Sequence, residues 1–125
     1  EEQKIPVYSI DEWMRNLFWK DAKPDSDLNW ALERCARCEV MIESLIREEI
    51  KNGRGCILDL GFSKRVERKS WFEKIEALGG LPQLIYLDVP REVRWKRVEQ
   101  RNQQLKNDPS SIKVDKATFD WMEEY

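Results

Sequence analysis

The sequence predicts one α/β domain: a mostly parallel, three-layer sheet with helices on both faces. Two observations lead there. Short apolar runs at residues 5–10, 56–60 and 84–89 alternate with long amphipathic segments, which is how parallel strands joined by helical crossovers read. The second and third runs are nearly continuous in apolar character, as strands buried on both faces are.

Each element has a local reason. Residues 5–10 are rich in β-branched and aromatic types and read as a short strand. Asp11 stands where it could cap a helix running to about Trp19. Residues 20–27 are polar, contain Pro24 and read as a loop. From Leu28 to Lys51, apolar residues recur at three- and four-residue steps, the mark of a long amphipathic helix, and Gly53 stands where a glycine would end it. Residues 56–60 form the second strand, Gly61 and Phe62 turn the chain, and Ser63 could cap a helix to Leu78, closed by Gly79 and Gly80. Residues 84–89 read as a third strand. Pro90 suits the first turn of a helix running from Arg91 to about Leu105. After a loop at residues 107–111, Asp115 could cap a last helix through Met122.

Composition bounds the chemistry. A chain of 125 residues, 37% charged and 41% hydrophobic, fits one soluble globular domain. The formal net charge of −2 offers no global field for nucleic acid or an anionic membrane, so an anion site must be a local cluster. No apolar run approaches the roughly 20 residues that cross a bilayer. The opening residues are charged, unlike a secretory signal, and three cysteines suit a reducing cytoplasm. Histidine is absent, which excludes histidine triads and histidine-bound metals. Catalysis would fall to carboxylates, arginines, lysines and a metal held by oxygen.

Four groups of residues could carry chemistry. Asp11 lies just past the first strand with Arg15 four residues on, so a carboxylate and a guanidinium share one helix face. They could activate a hydroxyl and hold a phosphate, or be a cap and an ordinary ion pair. Asp59, ending a buried strand, could meet magnesium or simply bond to loop backbone. Arg94, Arg97 and Arg101 form one stripe that suits phosphoryl oxygens, or a solvated face paired with Glu92 and Glu99. Arg34 and Arg37, near Trp30, could meet an anionic substrate or be the exposed side of the long helix. Cys35 and Cys38 lie on that helix's apolar stripe, with no further ligands for zinc, and read as core packing. The six tryptophans are scattered and read as packing rather than a base-stacking platform.

The segments SIDEWMRNLFW (residues 9–19), NWALERCARCE (29–39), CILDLGFS (56–63) and LDVPREVRWKRVEQRN (87–102) occur in an order that resembles bacterial ATP-binding proteins of the AAA-domain, zeta-toxin-like P-loop kinase group. The resemblance spans essentially the whole chain. It implies a P-loop NTPase-like sheet and an ATP- and Mg2+-dependent transfer of the γ-phosphoryl to a hydroxyl of a small acceptor. Asp11 would be the general base and Arg15 would place the acceptor, with Arg34 and Arg37 nearby. Asp59 would be the acid near magnesium. Arg97 and Arg101, with Arg94, would be lid arginines over the phosphates, in a lid spanning about residues 91–113. The chain departs from that pattern in one respect: no G-x-x-x-x-G-K-[ST] loop occurs, so the first family strand and its P-loop are missing. In the family that strand lies between those matching residues 56–60 and 84–89. Its loss implies two edges with unpaired backbone, to be completed by an upstream segment or a partner chain. The alternative expectation is a non-catalytic interaction module on a kinase scaffold. A weaker one is single-stranded nucleic-acid binding along the stripe at residues 91–101.

Overall fold

A computed structural model describes residues 4–104 and 113–123. Two compact units emerge, Glu1–Pro82 and Gln83–Tyr125.

In the first unit, β1 (Val7–Ser9) and β2 (Ile57–Asp59) form a two-stranded parallel sheet. Val7 lies opposite Ile57, Tyr8 opposite Leu58 and Ser9 opposite Asp59. Three helices follow: α1 (Ile10–Leu17), α2 (Leu28–Lys51) and α3 (Arg65–Ala77), with a 3-10 turn at Trp19–Asp21 after α1. Parallel strands require a crossover, and here α1 and α2 supply it between β1 and β2. The core gathers Ile10 and Met14 of α1, Cys38, Ile42 and Ile46 of α2, Leu60 and Trp71. The three α2 residues recur every four positions, so one stripe of the helix is buried against α1 and the sheet.

The long helix has the span its periodicity predicts, Leu28–Lys51, capped by Asp27, whose Oδ1 accepts from the Trp30 N–H at 2.9 Å. Its buried stripe is narrower than the sequence suggests, because Leu28, Leu32 and Met41 are exposed. The cysteine reading holds: Cys38 is buried, Cys35 half-buried, and neither is in a disulfide. Glycine matters at the end of α3. Gly79 takes φ +84, and a Cβ on Gly80 would stand 2.7 Å from Ile75 Cγ2 and 2.9 Å from Ile50 Cδ1.

In the second unit, α4 (Arg91–Gln104) and α5 (Lys116–Glu123) are tied together by side chains. Trp95 packs on Phe119 with ring centroids 5.2 Å apart. Asn102 donates to the Val114 carbonyl at 2.8 Å and accepts from the Val114 N–H at 3.2 Å. Arg91 pairs with Asp120 at 2.5 Å. Asp115 caps α5 as expected, its Oδ1 accepting from the Thr118 N–H at 2.7 Å.

Several sequence expectations are corrected. Ile10 belongs to α1, and Ser9, not Asp11, occupies the N-cap position, with Asp11 inside the first turn. The α3 N-cap is Lys64 rather than Ser63, since the Glu67 carboxylate accepts from the Lys64 N–H at 3.1 Å. Pro90 precedes α4 and its carbonyl accepts from the N–H groups of Val93 and Arg94, both at 3.0 Å. Residues 84–89 form no strand. Leu84, Ile85, Tyr86 and Leu87 are 53–81% exposed. An apolar run becomes a buried strand only when a neighbouring strand meets its backbone, and no described strand pairs with this one. The described sheet is therefore two-stranded rather than a full three-layer sheet. The loop at 107–111 and part of the segment 91–113 lie outside the described residues.

Candidate functional site at the carboxyl end of the parallel pair

In a parallel sheet the carboxyl ends of the strands face the connecting turns, and functional groups collect there. Both strands end on a polar residue, and the register places those residues side by side. The Ser9 hydroxyl donates to Asp59 Oδ2 at 3.2 Å. Asp11 follows two residues after Ser9, exposed in the first turn of α1. Local packing fixes these ends. Ile10, directly after Ser9, and Leu60, directly after Asp59, are both buried in the same core cluster. Each acid or hydroxyl is thus held by an apolar neighbour one residue on.

The turn leaving β2 is braced. Gly61 takes φ +86 and Phe62 φ +22, a region that a bulky residue rarely enters. Arg68 of α3 holds the turn by donating through one nitrogen to the carbonyls of Phe62 (2.8 Å) and Ser63 (2.9 Å). The Phe62 ring meets buried Trp71 edge-on, with centroids 6.3 Å apart. Backbone strain beside a strand-end acid is a recurring feature of functional sites. Ser9 and Arg68 carried no role in the sequence reading. The signal for Ser9 was available: a polar residue closing an apolar strand two positions before an aspartate.

The start of α1 faces α2. The half-buried Cys35 thiol is pushed up chiefly by burial, then by Cys38, Glu39 and the negative charge of Asp11. Arg15, four residues after Asp11, is exposed, and no ion pair joins the two. A salt-bridged pair is therefore not what holds Asp11 in place. Farther along, α2 presents Arg34 differently from Arg37. Arg37 is exposed and pairs with Glu33 one turn back. Arg34 is half-buried, donates to the Trp30 carbonyl at 3.0 Å, and stacks 4.0 Å over the Trp30 ring and 5.9 Å from the Phe18 ring. Trp19 packs on the same indole at 5.8 Å. This cluster borders a cleft of about 450 Å³ lined by Asp21, Lys23, Asp25, Ser26, Asp27, Trp30 and Arg34. Of the two sequence readings of Arg34, the exposed side of the helix does not hold, since the side chain is half-buried.

In the second unit, Arg94, Arg97 and Arg101 lie on α4 at the expected spacing and are exposed. Arg94 Nε donates to the Val89 carbonyl at 2.9 Å, which ties it to the segment leading into its own helix. No ion pair couples Arg97 or Arg101 to Glu92 or Glu99 among the described residues.

A magnesium ion usually takes one or two carboxylates and completes its shell with phosphate oxygens and water. Asp59, with the Ser9 hydroxyl beside it, offers donors of that kind. Among the described residues no group of three or more cysteine or carboxylate side chains could hold a metal alone. The fit is to a cation that takes most of its ligands from outside these side chains.

No helix among the described residues is long and apolar enough to cross a membrane. No curated protein and no solved structure matches the chain. A family model described as AAA domain matches residues 2–125. With that match over nearly the whole length, and the parallel β1–β2 pair ending on Ser9 and Asp59, the chain belongs to the AAA-domain family of P-loop kinase-like proteins.

Proposed function

We propose that this chain carries the acceptor-activating and cation-binding part of an ATP-dependent phosphotransferase of the zeta-toxin-like group. The observation that supports this most is the strand-end arrangement: Ser9 bonded to Asp59, and Asp11 two residues on. Phosphoryl transfer asks little covalent chemistry of the protein. It asks for positioning and for neutralisation of charge on the phosphoryl oxygens. In this reading the Asp11 carboxylate accepts the proton of the attacking hydroxyl, and Arg15 helps to place the acceptor, with Arg34 and Arg37 near the acceptor site. Asp59, oriented by Ser9, holds Mg2+ directly or through water. The ion, when bound, neutralises phosphate charge. Arg97 and Arg101 donate to the transferred group, and Arg94, held by Val89, donates to the nucleotide phosphates.

The reading also requires a nucleotide cradle, which an upstream segment or a partner chain would supply along with a further strand. Two observations support such a strand. Residues 84–87 are exposed and apolar, and the described sheet has only two strands. The reaction compartment in this reading is the cytoplasm.

The test is Mg2+-dependent ATP binding and ADP release by the full-length protein, with Asp59→Ala and Arg97→Ala. Each substitution should reduce turnover by ~100-fold or more, the usual scale for one electrostatic stabiliser. Normal turnover in both variants removes the site assignment.

A second reading, an interaction module without phosphotransfer, is favoured by the same exposed run, Leu81 included at 94%. Capture of a protein partner by the full-length protein, with no nucleotide bound, selects it.

A further inference from the structure

The turn between Asp59 and α3 has little backbone support of its own. Asp59 is the last residue of β2, and α3 begins at Arg65. No backbone–backbone hydrogen bond joins Phe62 or Ser63 to another described residue. Yet the turn holds Gly61 at φ +86 and Phe62 at φ +22. A bulky residue stays in that region only where its surroundings over-determine it. Two side chains of α3 do so. Trp71 meets the Phe62 ring edge-on, and Arg68 donates to the carbonyls of Phe62 and Ser63 at 2.8 and 2.9 Å. Both bonds come from one guanidinium nitrogen, and neither carbonyl accepts from any other described residue. Arg68, itself half-buried, thus supplies the hydrogen bonds that the turn cannot make for itself.

We infer that Arg68 is a positioning residue for Asp59: it fixes the turn that aims the strand-end carboxylate, and so sets the affinity of the site for a divalent cation. Asp59 is constrained on three sides. Before it, the register with β1 fixes the backbone. Beside it, the Ser9 hydroxyl donates to Oδ2 at 3.2 Å, the carboxylate's one hydrogen bond with a described residue. After it, Leu60 is buried and the chain enters the braced turn. The Ser9 bond is exposed and competes with water, so it steers the carboxylate weakly. The backbone beyond Asp59 then carries much of the aim, and a ligand that must be reoriented on binding loses affinity. The brace also has a chemical signature. A single donor nitrogen suffices for it, so an ammonium can replace the guanidinium. A guanidinium that grips a phosphate through two nitrogens cannot be replaced in that way. That Asp59 holds the cation rests on the phosphotransfer reading above. That Arg68 holds the turn does not.

The experiment titrates Mn2+, as a probe for Mg2+, into the full-length protein with ADP present, and reads the bound ion by water-proton relaxation. Arg68→Met keeps the length of the side chain and removes its donors, and Arg68→Lys keeps one donor nitrogen. Arg68→Met should raise the Mn2+ concentration at half-saturation by about tenfold, the low end of the roughly 10–100-fold typical of outer groups at metal sites, and leave the affinity for metal-free ADP unchanged. Arg68→Lys should bind Mn2+ as the parent does. Glu73→Gln, on the exposed surface of the same helix, should alter neither quantity. Unchanged Mn2+ binding in Arg68→Met, alongside lost binding in Asp59→Ala, overturns the inference and leaves the cation reading standing. Mn2+ binding that Asp59→Ala does not weaken overturns both. Weaker binding of metal-free ADP in Arg68→Met overturns the inference too, since Arg68 would then be gripping the nucleotide. Where Arg68→Met does not fold, Arg68→Lys decides: parent-like Mn2+ binding supports the brace, and a loss of about tenfold overturns it. The expected Mn2+ result in a protein that releases no ADP from ATP supports the positioning role and removes only the phosphotransfer.

Discussion

The placement of the strand-end groups depends on one side chain more than any other. Ile42, at the centre of α2, is fully buried and shares a core cluster with Ile10 and Met14 of α1 and with Leu60, which follows Asp59. Ile42→Ala removes three carbons. At about 0.8 kcal/mol per buried methylene, the transfer loss is ~2.4 kcal/mol. A core this small has few neighbours able to collapse into the space, so a cavity contribution adds, and the total should reach about 3–4 kcal/mol. Domains of this size are stable by roughly 5–15 kcal/mol, so the substitution takes a large share. Urea unfolding of the full-length protein, followed by far-ultraviolet circular dichroism, measures it. Val40→Ala on the same helix, where the side chain is 68% exposed, is the control and should cost under about 1 kcal/mol. If Ile42→Ala costs less than about 1 kcal/mol, or Val40→Ala costs as much, the packing that positions Ser9 and Asp59 is not as described.

Further outcomes follow from the same contacts. Ser9→Ala should leave stability within about 1 kcal/mol of the parent, since its bond to Asp59 is exposed, and should raise the Mg2+ concentration needed for half-maximal ADP release. The Glu49 carboxyl is held below its ordinary range by the Arg54 hydrogen bond at 2.7 Å. That contribution is present above the unfolded value of roughly 4.3 and is lost as pH falls through the depressed folded value. Acid unfolding of Arg54→Ala should therefore show a flatter pH dependence in that range. Glu39 is shifted the other way, upward by burial, so its ionised form opposes folding. Glu39→Gln should gain stability at pH 7, with the gain fading as pH falls below the folded value toward the unfolded one, as read by thermal melts. Burial raises the Cys35, Cys38 and Cys56 thiols, so all three should react slowly with iodoacetamide at pH 7.5 and quickly in urea.

The elements written in local sequence were legible in advance. The span of α2 follows from its three- and four-residue apolar steps. The Asp115 cap and the start of α4 at Arg91 follow from residue types that act within one turn. The cleft and the strand ends were not legible in that way. Ser9 meets Asp59 across fifty residues, and only the parallel register brings the hydroxyl to the carboxylate. Arg34 stood out in the sequence only as a cation beside Trp30, and its approach to the Phe18 ring belongs to the tertiary packing. Residues 84–89 show the converse. Their composition is that of a buried strand, yet residues 84–88 are exposed, because a strand is completed by the hydrogen bonds of a neighbour and not by its own side chains. Periodicity and capping are properties of neighbours in sequence and therefore readable there. Register, stacking and strand pairing are properties of neighbours in space, and only tertiary structure could decide them.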